Sequence, residues 1–543
     1  MHHHKAALAL LCAALGACGS RGDPPARASA SPDGGGPAGG GPAGGPFAMP
    51  ALQGSLPVYE LEIPQATLDL FEADPWTPEQ PATFRVGGVT LPAKVELRGA
   101  SARYFPKKSW NVDLEGGRYE ERRRLKLVAE FQDGTMMVEK LGYDLLAAVE
   151  VEAPRGRYVR LNVNGVFQGV YLDLEAVDRH FLRAHGFADE DASIYRCGWW
   201  NCEMKTWDAP YQGGFQKRTN ESEPWDDIHE LVRAINHTPE PELARELAAR
   251  LDLEAYLRAM AVDALISNDY IQDSESFLVH DRVRGKWSYV PWDLNNADAR
   301  WWIGMSAEDA PISRHALVVF TVADPAVATI YARRASQVAG VHPTFSNLTT
   351  RIVNEPELLA RYLALVERGL DELFRPEVLD PWLDEVHALL DRSMREDPWI
   401  DQENWARAAA FLKTFVRERE AFLRSELARL RARRPGVVLE ALDARAGTLE
   451  LRNRGSEPAE LGGMVLTTNL RAATTRNVPA RRLAPGERVA LRAGDLGLTL
   501  AGAGEVGLFD GLSVTGALDV LFYGELAPGR RYERAEDGRW AVR

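Results

Sequence analysis

The chain has 543 residues, too many for one ordinary domain, and its 45% hydrophobic content supplies enough apolar side chains for more than one core. A formal net charge of −14 argues against a nucleic-acid binder, since phosphate backbones are held by clustered lysine and arginine. Beyond the first few residues no stretch is apolar for long enough to span a bilayer as a helix.

Met1 to Lys5 carries one lysine and three histidines, and Ala6 to Leu15 is an apolar run of signal-peptide length. It ends in Leu15-Gly16-Ala17-Cys18, which resembles the lipobox of bacterial lipoproteins; that resemblance implies cleavage after residue 17 and lipidation of Cys18. An ordinary secretory signal is the alternative. Residues 19–50 are mostly Gly, Pro, Ala and Ser and cannot bury enough surface to fold, so they read as a tether. The expected location is therefore outside the cytoplasmic membrane, attached by lipid, inner or outer membrane left open. Only Cys197 and Cys202 then remain in the mature chain, and in an exported protein they read as one short-loop disulfide.

Leu56 to Ile63 alternates as a strand and Ala66 to Glu72 reads as a short helix. Thr83 to Val86 and Val89 to Leu97 form a hairpin about Gly87-Gly88. The following loop to Trp110 carries Arg98, Arg103, Lys107 and Lys108 beside Gly99-Ala100-Ser101, a composition that could meet an anion, although composition alone favours a solvated basic turn. Strands are expected at 110–114 and 125–128, a helix over 135–149, and a hairpin from Tyr158 to Leu174 about Asn164-Gly165. Glu175 at its end could pair with a basic residue of the earlier loop, or more simply cap the next helix.

Residues 225–266 read as helical, broken at Pro239 and Pro241. The stretch from Asp263 to Trp302 then runs from a helix end through an acidic loop into two short strands, 277–281 and 286–290, followed by Pro291-Trp292-Asp293. Loop carboxylates at the ends of buried elements suit metal and phosphate chemistry, because the scaffold fixes them while leaving them reachable. Asp269 and Asp293 are thereby the leading candidates, although either alone is more often a turn residue. From 322 to 430 amphipathic helices follow, among them 358–373 and 405–430, and Arg395-Glu396-Asp397 reads as a solvated helix end. After Pro435 short strands and Gly-rich turns predict an all-β sandwich without clustered His, Cys or paired carboxylates.

Residues 56–430 resemble the CotH (spore coat protein H) kinase family. The resemblance is carried by Arg98-Gly99-Ala100-Ser101 with Pro106-Lys107-Lys108-Ser109, by Asn164-Gly165 through Gly169-Val170-Tyr171 to Glu175, by Ser193-Ile194-Tyr195-Arg196, and by Asn268-Asp269 with Trp287 and Pro291-Trp292-Asp293. It implies an α+β, atypical protein-kinase-like domain over residues 51–434 that transfers the γ-phosphoryl of ATP, with Mg or Mn, to hydroxyls of exported envelope or extracellular proteins. Asp269 would accept the hydroxyl proton, Asp293 would hold the metal with Ser276 and Asn295 nearby, and Arg98, Lys107 or Lys108 would meet phosphates with Glu175 positioning that group. This chain departs from the family pattern at Ser276 and Asn295, where Asn and Asp are usual, and at Arg196, where Lys is usual; Asp273, Glu275 or Asp298 could compensate. A catalytically weak scaffold or surface binding protein is therefore the alternative, and a sugar-binding role would rest only on the many tryptophans. Residues 435–543 resemble a lamin-tail domain through LELRNRGSEPAELGGMVL, LAPGERVAL and EVGLFDG, which implies an immunoglobulin-like sandwich used for attachment.

Overall fold

A computed structural model describes residues 45–197, 215–268, 276–296, 347–432, 436–468, 475–509 and 517–543. Cys18, Cys202 and Asp269, together with the sequence expectations for residues 322–346, lie outside them.

Seven strands, β1 (Val58–Glu62), β2 (Gln80–Val86), β3 (Val89–Leu97), β4 (Trp110–Leu114), β5 (Arg124–Val128), β6 (Gly156–Val163) and β7 (Val166–Leu174), close into a barrel in the order β1-β2-β3-β4-β5-β7-β6. Alternation dictates the packing: Leu61, Phe84, Val95, Val112, Leu125, Leu127 and Leu161 fill the interior, while their neighbours in sequence face out. The β6–β7 turn is made by Asn164 (φ 51°) and Gly165 (φ 77°), both left-handed as a two-residue hairpin of this twist requires. The closing pair, β1 with β6, is parallel. Helix α1 (Gln65–Ala73) lays Phe71 on this core.

Helix α2 (Val138–Ala148), buried along almost its whole length, joins the barrel to a larger second body. After α3 (Arg179–Ala184), that body holds a four-stranded sheet of β8 (Ser193–Cys197), β9 (Phe215–Lys217), β10 (Ser276–Asp281) and β11 (Lys286–Pro291) in the order β11-β10-β8-β9. Around it lie α4 (Asp226–His237), α5 (Leu243–Arg250), α6 (Leu253–Ile266), α7 (Asn347–Asn354), α8 (Pro356–Glu372), α9 (Pro376–Glu396) and α10 (Gln402–Ala432). Helix α6 is mostly apolar, and every residue from Ala259 to Ile266 is buried. No helix among the described residues is long and apolar enough to cross a membrane.

The last hundred residues form the expected all-β region. One sheet joins, in order, Arg488–Arg492, Thr448–Asn453, Val437–Asp443, Tyr532–Arg534 and Trp540–Val542; another joins Arg476–Asn477, Val465–Thr467, Gly504–Phe509 and Ala517–Tyr523. Leu439, Leu451, Leu466, Val506, Leu508 and Leu521 are buried in one cluster between them.

The α+β expectation holds, but the reading of Arg395-Glu396-Asp397 as a solvated helix end does not. Asp397 is 3% exposed, because it turns inward from the end of α9 to meet a lysine of the barrel.

Candidate active site

The hairpin β10–β11 forms the floor of the candidate site. Ser276 pairs in register with Pro291, so the first residue of β10 stands two residues from Asp293, and its hydroxyl bonds the Tyr289 phenol. Trp292 is buried edge-on to Phe277, ring centroids 5.4 Å apart, which fixes where the chain leaves the sheet. Asp293 then takes φ 59°, a left-handed conformation that an aspartate adopts only under local constraint. Asn295 follows in a single 3-10 turn, Leu294–Asn296, partly buried. On the approach to Asp269, α6 ends in left-handed Ser267, and Asn268 donates its backbone N–H to the carbonyl of Asp263 and its side-chain Nδ2 to the Asp263 carboxylate at 2.9 Å.

A wall of carboxylates comes from the barrel's exit. Asp133 organises the turn after β5: its carboxylate accepts the Thr135 N–H at 2.8 Å and the Val138 N–H at 3.1 Å, starting α2. This places Glu139 in the interior, 1% exposed, facing Glu130, 5% exposed and itself left-handed at φ 48°. None of the four carboxylate oxygens of the pair meets a donor from outside the pair. Burial first, then the charges of Glu130 and Asp293, hold Glu139 well above the carboxylate range, with Arg98 opposing; burial likewise raises Glu130, which accepts from Glu139. Tyr143, one turn along α2, sets its hydroxyl against the backbone of Asp293. Sequence reading missed this pair. The available signal was Glu139 at the start of the 139, 143, 146 stripe of a helix whose other members, Tyr143 and Leu146, are core.

Opposite lies a cationic side, whose members differ from those expected. Arg98, at the end of β3, places its guanidinium 5.5 Å from the ring centre of Trp292, beside the acids. Lys107 is elsewhere engaged: fully buried, it donates to the carbonyl of Val170 at 2.7 Å and to Asp397 at 2.9 Å. Lys108 donates to the carbonyl of Arg103 at 3.1 Å and lies 3.9 Å from Glu72. Glu175 pairs with neither lysine. It accepts from His185 at 2.8 Å and faces the backbone of Arg155, and these partners, outweighing its burial, pull its pKa down. Nor does Glu175 cap the next helix; Asp178 does, accepting from the N–H groups of His180 and Phe181.

The lysine overlooked in the sequence is Lys126. Register places Glu96, Asn111 and Lys126 side by side on the barrel's outer face, with Asn111 donating to Glu96 at 2.6 Å and Lys126 to Asn111 at 2.8 Å. Burial, and then the charges of Arg98 and Arg124, pull Lys126 down to about 7. Such a cation is under-compensated by its surroundings and is held charged by any anion that approaches. Arg218, which follows β9, stands within electrostatic reach of Arg196 on β8 and of Arg124. The remaining expected pair is half described: Cys197 is disulfide-bonded.

Mg or Mn, the ions the family resemblance implies, prefer oxygen ligands. Glu130, Glu139 and Asp293 supply carboxylate oxygens of that kind, and those of the glutamate pair lack donors. Among the described residues no three such side chains already converge on one point.

A barrel joined to a helical body, with a strand-end carboxylate delivered between a basic and an acidic wall, defines a kinase-like α+β protein. The CotH kinase protein family matches residues 95–423, more than half of the chain, and the chain belongs to that family. It is 25% identical over 387 residues to the inner spore coat protein H of Bacillus subtilis (strain 168), covering 69% of this chain and 98% of that protein. An inner spore coat protein H-like protein of the same organism is 22% identical over 324 residues, covering 59% of this chain and 85% of the relative.

Proposed function

We propose that this protein transfers the γ-phosphoryl group of ATP to serine or threonine hydroxyls of cell-envelope proteins, and that it does so from outside the cytoplasm, anchored through a lipidated Cys18. The observation that carries the catalytic part is the meeting of unlike charge walls at one strand end: Arg98 and Lys126 on one side, Glu130, Glu139 and Asp293 on the other. Phosphoryl transfer asks a protein chiefly for positioning and charge compensation, and this arrangement offers both.

In this reading Asp293 would hold Mg or Mn, which would supply positive charge to offset that of the phosphates. Arg98, steadied by Trp292, and Lys126, steadied by Asn111, meet the phosphates from the barrel side. Lys107, with Asp397 and the Val170 carbonyl as partners, keeps the two bodies in register. Asp269 takes the proton of the acceptor hydroxyl, and Asp263 through Asn268 sets the start of its loop. The sandwich after residue 435 serves as an attachment module of the lamin-tail kind.

The test is transfer of labelled γ-phosphate with Mg or Mn, to the protein itself and to a generic acceptor, in wild type, Asp269→Ala, Asp293→Ala and Lys126→Ala. Loss of transfer in the two aspartate variants and a rise in KM for ATP in Lys126→Ala, all with wild-type melting, are expected. Absence of transfer and of any nucleotide-dependent rise in melting temperature in the wild type would overturn the reading in favour of a scaffold, which Ser276 and Asn295 favour as weak ligands. Export is tested separately, by membrane fractionation and by lipid labelling lost in Cys18→Ser.

A further inference from the structure

The feature the proposed reaction leaves unexplained is the buried pair Glu130 and Glu139. Two carboxyl groups, 5% and 1% exposed, face each other with no donor to either from the rest of the protein. A protein interior keeps such groups either by sharing a proton between them or by holding a cation there, because uncompensated burial of carboxylate is costly and like charges add to it. Neighbouring cations do not fill that role. Lys140, next in sequence, is turned to Asp144, and Arg98, whose charge reaches both glutamates, lies over Trp292 without bonding either.

The backbone holds the pair rather than letting it relax. Glu130 is left-handed at φ 48°, and so is Met136 (φ 60°) in the same connection, while Asp133 locks the intervening turn through Thr135 and Val138. Asp293, on the facing strand end, is left-handed as well and near enough for its charge to act on both glutamates. The two glutamates thus face each other with Asp293 within electrostatic reach, and Glu130 and Asp293 are both held left-handed.

We infer that Glu130 and Glu139 are ligands of a divalent cation, binding Mg or Mn between their carboxylates on the side facing Asp293. Under this assignment the cation site is built from the β5–α2 connection and α2, which supply the carboxylates that Ser276 and Asn295 lack. It rests on the reading of Asp293 as the metal-holding residue of the proposed transfer.

The test needs neither nucleotide nor acceptor. Full-length protein is titrated with Mn²⁺ alone, with free Mn²⁺ followed by electron paramagnetic resonance and melting temperature read in parallel. The expected result is one Mn²⁺ site in the wild type, weakened about tenfold or more in Glu130→Gln and in Glu139→Gln. The Mn²⁺-dependent rise in melting temperature should be lost in both, while their metal-free melting is unchanged or higher, because an amide removes the like-charge contact. Equal Mn²⁺ affinity in both glutamine variants, or no Mn²⁺ binding by the wild type, overturns the inference. Should the glutamine variants fail to fold, the anomalous Mn peak in wild-type crystals decides: a peak between the two carboxylates supports the site, and a peak elsewhere sinks it. The two readings fail separately. Mn²⁺ binding through the pair without transfer removes the kinase reading alone, and transfer with undiminished metal affinity in the glutamine variants removes this one alone.

Discussion

Lys107 and Asp397 form an ion pair with side chains wholly out of solvent, 290 residues apart in sequence. Asp397 also accepts the Val170 N–H at 2.9 Å and the Trp399 N–H at 3.0 Å, so its lone pairs are used from both bodies of the kinase-like part. Gly169 makes the approach possible: it sits at φ 115°, and a β-carbon there would fall 2.2 Å from the Asp397 carboxylate. Removing one partner leaves a buried charge uncompensated, so Asp397→Ala should cost about 3–5 kcal/mol in denaturant unfolding. The double change Lys107→Met, Asp397→Leu should cost less than that single one. A loss below about 1 kcal/mol for Asp397→Ala would show the pair to be incidental. The pair was illegible in the sequence because each half matches a commoner pattern, a basic loop and a charged helix end, and only their meeting distinguishes them. Asp293 was legible, since a strand end needs no distant partner to be recognised. A second prediction concerns Asp263, which burial holds up at about 7 against an ordinary 3.8, with Asn268 opposing. Between those values the unfolded chain gives up the proton and the folded chain keeps it, so this group's contribution to stability falls as pH rises through that window. Asp263→Asn keeps an acceptor for Asn268 and should flatten the decline between about pH 4 and pH 7 in urea midpoints. An unchanged slope would exclude Asp263 as its source.

Helix α3 shows what an element requires when it is too short to be stable alone. Its six residues depend on Asp178, whose carboxylate accepts the His180 N–H at 2.7 Å and the Phe181 N–H at 3.3 Å. At its other end His185 stacks on Phe181, centroids 4.0 Å apart, and bonds Glu175. Asp178→Ala should cost about 1 kcal/mol, measured by urea unfolding, and Asp178→Asn should recover most of it. Equal stability of Asp178→Ala and wild type would mean that packing of Phe181 alone holds the helix. The sequence offered Glu175 for this cap, but the carboxylate three residues on has the spacing that reaches two free N–H groups. Elements that announce themselves locally were readable: the Asn164-Gly165 hairpin, the hairpin β10–β11 and the apolar stripes of α8 and α10 all stand where pattern places them. Barrel closure was not, because the parallel pairing of β1 with β6 depends on residues about a hundred positions apart and leaves no local mark. Lys126 escaped for the same reason. On its own it is one of several charges in a short strand, and only the register with Asn111 and Glu96 gives it a role.

At the scale of the whole molecule, the C-terminal sandwich is packed against the helical body around a buried arginine. Arg351 of α7 is 0% exposed and donates to the carbonyls of Ile235 at 2.7 Å and Thr238 at 2.5 Å, and to the carboxylate of Glu240. The sandwich supplies the lid: Phe522 lies with its ring centre 4.3 Å from the guanidinium carbon and is itself 2% exposed. A surface pair, Arg539 with Glu357 at 3.0 Å, flanks the junction and contributes little by comparison. The contact couples the parts, because separating them would lose the cation–π contact and strip a buried aromatic ring of its packing, which rehydration of the guanidinium only partly offsets. The wild type should therefore unfold in one calorimetric transition rather than two. Phe522→Ala should lose about 3–5 kcal/mol, the usual cost of emptying a buried phenylalanine site, and should split the transition as the sandwich uncouples. Two transitions already present in the wild type, with the upper one unmoved by Phe522→Ala, would instead make the sandwich an independent module whose contact with Arg351 adds nothing to the stability of the kinase-like part.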